Sequence, residues 1–415
     1  MTKAPLGRTA LHCILWVLCG LATGATWARE TLVLHFMVSS GAQRTAWVDL
    51  VQGFAAAHPD IRVIHKEFAQ EKYKQEFERY LTDDKVDIAF WFAGERMRTL
   101  VNKGLLAPLD PEFVNTIATP ALARAPLLGG VVNGQHYAFP VTYYPWGFFY
   151  RKSTFARLGL VPPQDWAGFL RVCESLKAAG ITPTAVGAQA GWPAAAWFDY
   201  INLRSNGLEF HQKLLRGEVA FSDPRARQVL EQWKTLLERG YFLDKTRGTE
   251  WDSVLPFLYR EQVGMVLLGG FAGAKFAGSP FANDIGFFAF PRIQARIPTA
   301  EDAPLDVLVL PTRGANRAAA HRFLRYLATQ PALNRFNDAG ATFSPLARGQ
   351  SSTDPLFRSS KAVLDAASGL SFYFDRDAPA DLIQPAFVAF QQFLQPPHDV
   401  DAAIRSLTSK RPSAP

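Results

Sequence analysis

The hydrophobic and polar positions that follow residue 30 alternate between two periods. Apolar runs at 31–38, 61–65 and 86–92 are rich in β-branched and aromatic side chains, which predicts strands. Segments 45–58 and 73–81 carry apolar side chains at helical spacing, and Pro59 follows the first of them. The resulting order, β-α-β-α-β, predicts an α/β fold with helices packed on a largely parallel sheet.

Two loops follow the ends of these predicted strands, where an α/β sheet binds its ligand. One is the polar turn at 39–43. The other exposes Trp91, Phe92 and Glu95 in the sequence WFAGE. Two aromatic side chains and an acid at a strand end indicate a binding loop. The alternative is that Trp91 and Phe92 are the buried end of the strand, because aromatic residues are favoured in strands.

The extended aromatic stretch at 137–150, YAFPVTYYPWGFFY, is too long for one ordinary strand. A segment of this kind can cross from one domain to another and act as a hinge. We therefore predict a second domain after it, with Tyr144 and Trp146 facing the space between the two domains.

A glycine-rich turn at 187–191 precedes three aromatic residues and one acid, namely Trp192, Trp197, Phe198 and Asp199. Aromatic planes beside a carboxylate suit a sugar, whose C–H face stacks on an indole while its hydroxyls need acceptors. The segment therefore predicts one wall of a carbohydrate site.

Two further residues are candidates for the same site. Phe271 lies in GGFAGAK, which lacks the Ser or Thr that a phosphate-binding P-loop requires, so we interpret Phe271 as a stacking side chain. Asp306 lies in the apolar run 305–310, where an acid is costly to bury without donors. It is therefore either a ligand-binding residue or a cap or turn acid.

Composition limits the function classes. A chain of 415 residues with 48% hydrophobic content can bury the cores of two or more compact units. The formal charge is +7, but no run of five basic residues occurs, so we expect no nucleic-acid partner. The histidines are scattered without HxH or HxxxH spacing, so we expect no metal and no cofactor.

The amino-terminal segment 1–28 predicts a secretory signal peptide. Lys3 and Arg8 precede an apolar run at 11–21, and small residues precede a cleavage point after Ala28. The alternative, an uncleaved membrane anchor, would need a longer apolar run. Cleavage would leave Cys173 as the one cysteine of an exported, periplasmic protein without an internal disulfide.

Nearly all of the mature chain resembles the extracellular solute-binding proteins of carbohydrate ABC transporters, the class that includes the maltose-binding protein. The resemblance rests on the following segments: KGLLAPLD at 103–110, FFYRKSTFARLGLVPPQDWAGFL at 148–170, GITPTAVGAQAGWPAAAWFDYINLR at 180–204, VAFSDPRARQVLEQWKTLLERGYF at 219–242 and LDVLVLPTRGANRAAAHRFLRYLA at 305–328.

The resemblance implies a two-lobed periplasmic binding protein-like fold. Each lobe would be a mainly parallel sheet flanked by helices, and crossing segments would form the hinge. Lobe one would comprise 29–141 and 306–365, lobe two 142–305 and 366–410, and 411–415 would be a disordered tail.

The resemblance also implies a function without catalysis. The protein would capture a mono- or oligosaccharide and deliver it to the membrane permease of an ABC transporter, and we expect a monomer. The implied ligand-binding residues are Trp91, Phe92, Glu95, Tyr144, Trp146, Trp192, Trp197, Asp199, Phe271 and Asp306. The run FYFDRD at 372–377 resembles the family's acidic carboxy-terminal segment, and it places Asp375 and Asp377 either along the cleft or in a helix start or loop.

The sequence departs from the family where relatives often have Trp and Glu. The first strand and loop have Phe36, Ser39 and Gln43 instead. A charged ligand such as a sugar acid or phosphosugar stays open, because Arg44, Arg96 and Lys275 fall near the predicted site.

Two other functions stay open at this stage. One is a sensor that presents its sugar occupancy to a membrane histidine kinase. The other is an exported glycosidase, which would need a pair of carboxylates at a suitable separation. Glu95, Asp199 and Asp306 show no such pairing motif.

Overall fold

The computed structural model describes residues 29–38 and 41–408. The predicted signal peptide, Ser39 and Ser40 of the predicted polar turn, and the carboxy-terminal tail lie outside the described residues. The remainder of that turn, from Gly41 onward, already belongs to the first helix. Within the described ranges, no helix combines the length and the apolar character needed to cross a membrane.

The strands agree closely with the apolar runs of the sequence. In chain order they are β1 (Glu30–Val38), β2 (Ile61–Ala69), β3 (Ile88–Phe92), β4 (Leu106–Ala107), β5 (Val131–Val132), β6 (Gln135–His136), β7 (Ala138–Tyr143), β8 (Trp146–Arg151), β9 (Thr182–Ala185), β10 (Val263–Gly269), β11 (Ile285–Phe288), β12 (Ala300–Asp302), β13 (Leu305–Pro311) and β14 (Gly369–Ser371).

The α-helices are α1 (Gly41–Ala57), α2 (Gln70–Asp83), α3 (Glu95–Asn102), α4 (Pro111–Phe113), α5 (Thr119–Ala121), α6 (Arg124–Gly129), α7 (Lys152–Arg157), α8 (Trp166–Ala178), α9 (Trp192–Asn206), α10 (Leu208–Arg216), α11 (Pro224–Glu238), α12 (Leu255–Tyr259), α13 (Gly273–Ala277), α14 (Arg317–Leu327), α15 (Gln330–Gly340), α16 (Pro355–Asp365), α17 (Phe374–Asp377), α18 (Ala380–Phe393) and α19 (Val400–Thr408).

Local sequence explains where several of these helices begin. Asp110, Asp223 and Asp354 each accept backbone N–H bonds at the start of α4, α11 and α16, and each is followed by proline at the first helical position. An aspartate cap satisfies N–H groups that have no partner within the helix, and proline has no N–H to lose there.

Lobe one contains a six-stranded sheet with β2, β1, β3, β13 and β4 in that order and β7 paired with β13. β1 is parallel to β2 and β3, whereas β13 runs antiparallel to β3, β4 and β7. In lobe two the order is β11, β8, β10 and β9, and β8 is antiparallel to both neighbours. Both sheets are therefore mixed. β13 is the reversed strand of lobe one and β8 that of lobe two, and the other strands of each sheet run in one direction. The prediction of mainly parallel sheets is therefore confirmed, with one reversed strand that follows a crossing in each sheet.

Crossing segments join the lobes. The aromatic stretch breaks at Tyr144 and Pro145 into β7, which belongs to the sheet of lobe one, and β8, which belongs to that of lobe two. A second crossing lies between β12 and β13. The two-lobed α/β fold is confirmed, and the stretch 137–150 crosses between the lobes as predicted.

Helix α16 packs on lobe two, although the predicted boundary at 365 placed it in lobe one. Leu356 and Val363 contact the apolar cluster formed by Phe149, Phe276 and their neighbours. Lobe one extends to the region of Leu346, which belongs to its own core. The sequence did not reveal this because an amphipathic helix does not indicate which apolar surface it covers.

Candidate ligand-binding cleft

A cleft lies between the two lobes, at the ends of the strands that cross or approach the hinge. Its empty volume, including the part open to solvent, is about 860 Å³. The lining residues are Met37, Gln43, Ala46, Gln70, Lys74, Phe92, Thr142, Tyr144, Trp146, Trp192, Phe271, Ala274, Pro304, Asp306, Phe336, Gly340, Thr342, Tyr373, Asp375 and Arg376.

Aromatic side chains form the lobe-two wall of the cleft. The ring of Trp146 stacks on Tyr373 with centroids 4.7 Å apart and meets Trp192 edge to face at 5.8 Å. Phe271 meets Trp192 at 6.0 Å and Tyr144 at 5.3 Å. Such edge-to-face contacts fix the rings without flexible side chains. The wall is therefore a rigid apolar surface.

A buried ion pair crosses the floor of the cleft. Nη1 of Arg376 donates to Oδ1 of Asp306 at 2.6 Å and to the carbonyl of Leu305 at 3.2 Å, while Nη2 donates to the hydroxyl of Tyr144 at 3.1 Å. The guanidinium also lies 4.3 Å from the ring centroid of Phe92. Burial raises the pKa of Asp306, although Arg376 opposes the shift.

A second ion pair connects α3 of lobe one with α17. Nη2 of Arg96 donates to Oδ2 of Asp375 at 2.9 Å, and Nε donates to the carbonyl of the same residue at 2.6 Å. Burial alone would raise the pKa of Asp375, but Arg96, Lys74 and Arg376 together lower it below its ordinary value. Asp375 is therefore a carboxylate at neutral pH.

Lys74 of α2 reaches across the cleft. Its ammonium lies 5.7 Å from the ring centroid of Phe92 in lobe one and 5.8 Å from that of Trp192 in lobe two. It also donates to Glu71 at 3.3 Å. Burial lowers the pKa of Lys74, while Asp375 and Glu71 act in the opposite direction. The two lobes thus approach each other closely at this point.

The charges of the cleft lining balance. Its cations are Lys74 and Arg376, and its carboxylates are Asp306 and Asp375. The three cations that left a charged ligand possible each have a carboxylate partner: Arg44 pairs with Glu67, Lys275 with Asp252, and Arg96 with Asp375 of the cleft lining itself. Lys74 in turn has Glu71 beside it. The described residues therefore provide no surplus cation for an anionic ligand.

Six of the ten predicted site residues lie together along this cleft. They are Phe92, Tyr144, Trp146, Trp192, Phe271 and Asp306. For Trp91 and Phe92, at the end of β3, the sequence left two alternatives open, a ligand-binding position and a buried strand end, and the structure shows one residue in each. Phe92 lines the cleft, whereas Trp91 stacks on Phe77 of α2 with centroids 3.6 Å apart. The strand period of two explains this division, because neighbouring side chains point to opposite faces.

The structure does not bring the other three predicted residues into the cleft lining. Glu95 begins α3 and lies 3.3 Å from Arg98, and burial raises its pKa. Trp197 is fully buried within the core of lobe two, against Phe242 and Phe148. Asp199 is also fully buried, and its carboxylate accepts the N–H of Phe374 at 2.7 Å. Asp199 thus touches the segment that carries the site.

Several cleft residues were not predicted. Lys74 belongs to a charged helix whose sequence looks like a solvated surface, so no local signal distinguished it. Arg376 and Tyr373 lie in the FYFDRD run, of which only the acids Asp375 and Asp377 were singled out. Asp375 lines the cleft, while Asp377 instead accepts from the N–H of Phe372 at 2.9 Å.

An aromatic, charge-balanced cleft between two hinged α/β lobes defines the class of two-lobed binding proteins. The chain belongs to the family of bacterial extracellular solute-binding proteins, whose family model matches residues 39–333. The resemblance seen in the sequence is therefore confirmed.

Curated relatives agree with this assignment. An uncharacterised ABC transporter extracellular-binding protein of Pyrococcus horikoshii is 29% identical over 303 residues, which cover 70% of this chain and 67% of that protein. A multiple sugar-binding protein of Streptococcus mutans is 24% identical over 224 residues, covering 52% of each chain.

Solved structures show the same architecture. The bacterial solute receptor AcbH, described as having an exclusive substrate preference for β-D-galactopyranose, superposes with a TM-score of 0.87 at 27% identity, covering 92% of this chain and 98% of that one. The binding protein RafE in complex with raffinose superposes with a TM-score of 0.74 at 16% identity, covering 91% of this chain and 98% of that one, and supports the fold.

Proposed function

We propose that this chain is the periplasmic receptor of a carbohydrate ABC importer and that it holds a neutral monosaccharide between its lobes. The observation that carries the proposal is the cleft lining, in which an aromatic wall faces two carboxylates and two cations of balanced charge. The likeness to a receptor described as preferring β-D-galactopyranose, at 27% identity over nearly the whole chain, supports a hexose of that kind.

The cleft chemistry suits a sugar ring. The apolar C–H face of a hexose can stack on Trp192 or Phe271, and its hydroxyl groups can donate to Asp306 and Asp375. Arg376 and Lys74 supply donors to the hydroxyl oxygens. Because each cation already lies near an acid, a neutral ligand completes the hydrogen bonding without adding net charge to a buried site.

The proposed mechanism is a shift of population between an open and a closed form. A ligand that touches both lobes binds the closed form more tightly, so it favours closure about the hinge near Tyr144. The permease would then recognise closed lobes. We also propose that the protein acts as a monomer. We propose in addition that its signal peptide is cleaved after Ala28, and amino-terminal sequencing of the exported protein would test the cleavage position.

We propose no catalysis for this cleft. Asp306 and Asp375, its two carboxylates, are each engaged by an arginine. A retaining or inverting glycosidase needs one carboxyl group free to donate a proton and a second free to attack or activate water. Relatives of this chain are named as binding proteins of ABC transporters, and none of those described above is named as a sensor for a histidine kinase.

The test is isothermal titration of the mature protein with D-galactose, D-glucose, D-xylose, raffinose and D-galacturonate, after unfolding and refolding to remove carried-over ligand. D-Galactose and D-galacturonate form a matched pair that differs by a carboxylate at C6. We expect a neutral monosaccharide to bind and D-galacturonate not to bind. Preferential binding of D-galacturonate would overturn the neutral-ligand proposal. If raffinose were the one sugar of this panel to bind, the proposal that the ligand is a monosaccharide would be overturned.

A further inference from the structure

Behind the aromatic wall, lobe two contains a buried cluster of carboxylates that does not line the cleft. Asp199 of α9 and Asp302 at the end of β12 are both fully buried. Asp377 of α17 is partly buried beside them. Three acids from three elements in one interior region need hydrogen bonds, cations or protons to be tolerated there.

Two of these acids hold the segment 371–377, which passes between the lobes. Oδ2 of Asp199 accepts the backbone N–H of Phe374 at 2.7 Å. Oδ2 of Asp377 accepts the N–H of Phe372 at 2.9 Å and the hydroxyl of Ser371 at 3.0 Å. The segment held in this way presents Tyr373, Asp375 and Arg376 to the cleft. Its backbone position therefore determines the position of the site.

Asp302 has no such role as a hydrogen-bond acceptor. No donor among the described residues has good hydrogen-bond geometry to either of its carboxylate oxygens, although the nearby Ser371 hydroxyl, which donates to Asp377, acts to lower the pKa of Asp302. The neighbouring acid Glu301 is satisfied by Arg204, whose Nη2 lies 2.6 Å from it, so that cation is already engaged. Asp302 nevertheless pairs in register with Ser371, at the base of the segment. Within the described part of the chain, Asp302 is therefore an acid without an ion-pair partner beside Ser371, where the segment 371–377 begins.

The nearby histidine does not supply a positive charge. Asn206 donates to Oδ1 of Asn202 at 2.8 Å, which leaves the amide nitrogen of Asn202 to donate to Nδ1 of His211 at 3.0 Å. His211 then carries its proton on Nε2, which lies 3.7 Å from Oδ1 of Asp199. Burial lowers the pKa of His211 to about 3, so the ring is neutral.

The charge in the cluster is therefore relieved by protons. Burial, followed by the charge of Asp302, raises the pKa of Asp199 well above its ordinary value. Burial, followed by Asp377 and Glu301, does the same for Asp302, and burial raises the pKa of Asp377 to about 6. The other charged and titratable groups that act on the cluster are Arg204, Arg216, Tyr373, Asp375 and Arg376.

We propose that Asp199 and Asp302 are positioning residues for the ligand cleft, and that protonation within this buried pair keeps the segment 371–377 in its binding position. The proposal rests on the proposed function, in that the positioned residues are taken to bind the ligand. When the proton is lost, two buried carboxylates repel each other at the point where Asp199 holds Phe374.

The direction of the pH dependence follows from the raised pKa values. A carboxyl group whose pKa is higher in the folded than in the unfolded protein binds protons more tightly when folded, so its contribution to stability falls as the pH rises from about 4 towards the folded-state pKa. For Asp377 that window ends near pH 6. For Asp199 and Asp302 it extends further upward. The segment 371–377 therefore loosens towards alkaline pH.

Hydrogen–deuterium exchange of the ligand-free protein tests the positioning role without any sugar. In the wild type we expect the protection factor of peptides covering 371–377 to fall about tenfold or more between about pH 6 and pH 9, after correction for intrinsic exchange. In Asp302→Asn the fall should be smaller than in the wild type, because Asp199 stays buried but no longer has a second buried carboxylate to repel it. Asp365→Asn, which removes an exposed acid of α16, should behave as the wild type.

An unchanged protection factor in the wild type, or an equal fall in Asp302→Asn, would overturn the proposal. The wild-type measurement decides the question even if a variant fails to fold. The binding arm uses D-galactose as probe. Asp199→Asn keeps an acceptor for Phe374 and should retain more affinity than Asp199→Leu, which has none. If wild-type protein binds no sugar at any pH, the proposed function fails while the exchange result still stands.

Discussion

At the scale of single residues, aromatic side chains of the same type occupy two different environments. Trp192 and Phe271 line the cleft, whereas Trp197, five positions along the same helix as Trp192, is fully buried in the core. Phe271 is the more exposed of the two cleft residues. Residue type alone therefore does not separate ligand-binding from structural aromatics.

The first prediction compares Phe271→Ala with Trp197→Ala. Phe271→Ala removes part of the aromatic wall and should raise the Kd for the bound sugar about tenfold or more, with a loss of stability of about 1–2 kcal/mol. Trp197→Ala leaves a cavity in the core and should cost about 3–5 kcal/mol with a smaller effect on Kd. Calorimetric titration and urea unfolding measure the two effects, and equal losses of affinity would contradict this division.

At the scale of elements, helix α3 is fitted against α17 through its first turn. Gly94 precedes the helix with a φ of +88°, and a Cβ atom there would collide with the carbonyl oxygen of Arg376. Gly104 follows the same helix with a φ of +68°, but a Cβ atom there would meet nothing within 4 Å. Gly94 therefore permits both a positive φ and the close approach of Arg376 at the site. Gly104 permits a positive φ alone.

The second prediction uses these two glycines as a matched pair. Gly104→Ala should cost about 1 kcal/mol, because an L-residue is strained at positive φ. Gly94→Ala carries the same strain and also displaces Arg376, so it should cost about 1–3 kcal/mol more and weaken sugar binding. Urea unfolding and titration check both values. Equal effects of the two substitutions on Kd would show that the approach of α17 does not set the site.

At the scale of the whole molecule, ion pairs join groups that belong to different lobes. Arg96 of α3 pairs with Asp375 of α17, a segment anchored in lobe two through Phe374. Arg98 of the same helix pairs within the helix with Glu95 at 3.3 Å, and its side chain is about half exposed at 53%. Buried pairs of this kind are costly to break, whereas exposed pairs contribute little.

The third prediction is that Arg96→Met shifts the ligand-free protein towards the open form. The radius of gyration from small-angle X-ray scattering should increase, and the Kd for sugar should rise about tenfold because the closed population falls. Saturating sugar should restore the compact form. Arg98→Met is the control and should leave both quantities at their wild-type values. A radius that is the same in all three proteins would contradict the role of this pair in closure.

Much of the local structure could be predicted from the sequence. The apolar runs at 31–38 and 86–92 became β1 and β3, and helical spacing at 45–58 became α1 with an earlier start. Period-2 and period-3.6 patterns are local properties of the chain, so a single sequence contains them. The single reversed strand in each sheet and the lobe to which α16 belongs were not predicted, because both depend on contacts with distant segments.

The cleft was predicted in part for the same reason. Tyr144, Trp146 and Trp192 could be found because aromatic residues cluster at a crossing segment and a helix start. Arg376 could not, since its role depends on Asp306, which lies 70 positions away in the chain. Lys74 lies on a charged helix whose sequence is typical of a solvent-exposed helix. Only the packing of lobe two near it shows that Lys74 lines the cleft.

The sequence by itself determined that this is an exported α/β protein of the solute-binding class, because strand and helix periods and family segments are written along the chain. The tertiary structure alone decided which aromatic side chains face the cleft and which acids have partners. Arg96 and Asp375 are 279 residues apart, and Asp199 reaches Phe374 across 175. Burial and charge pairing arise only when such distant segments come together, so the composition of the cleft and its balance of charge are properties of the folded molecule.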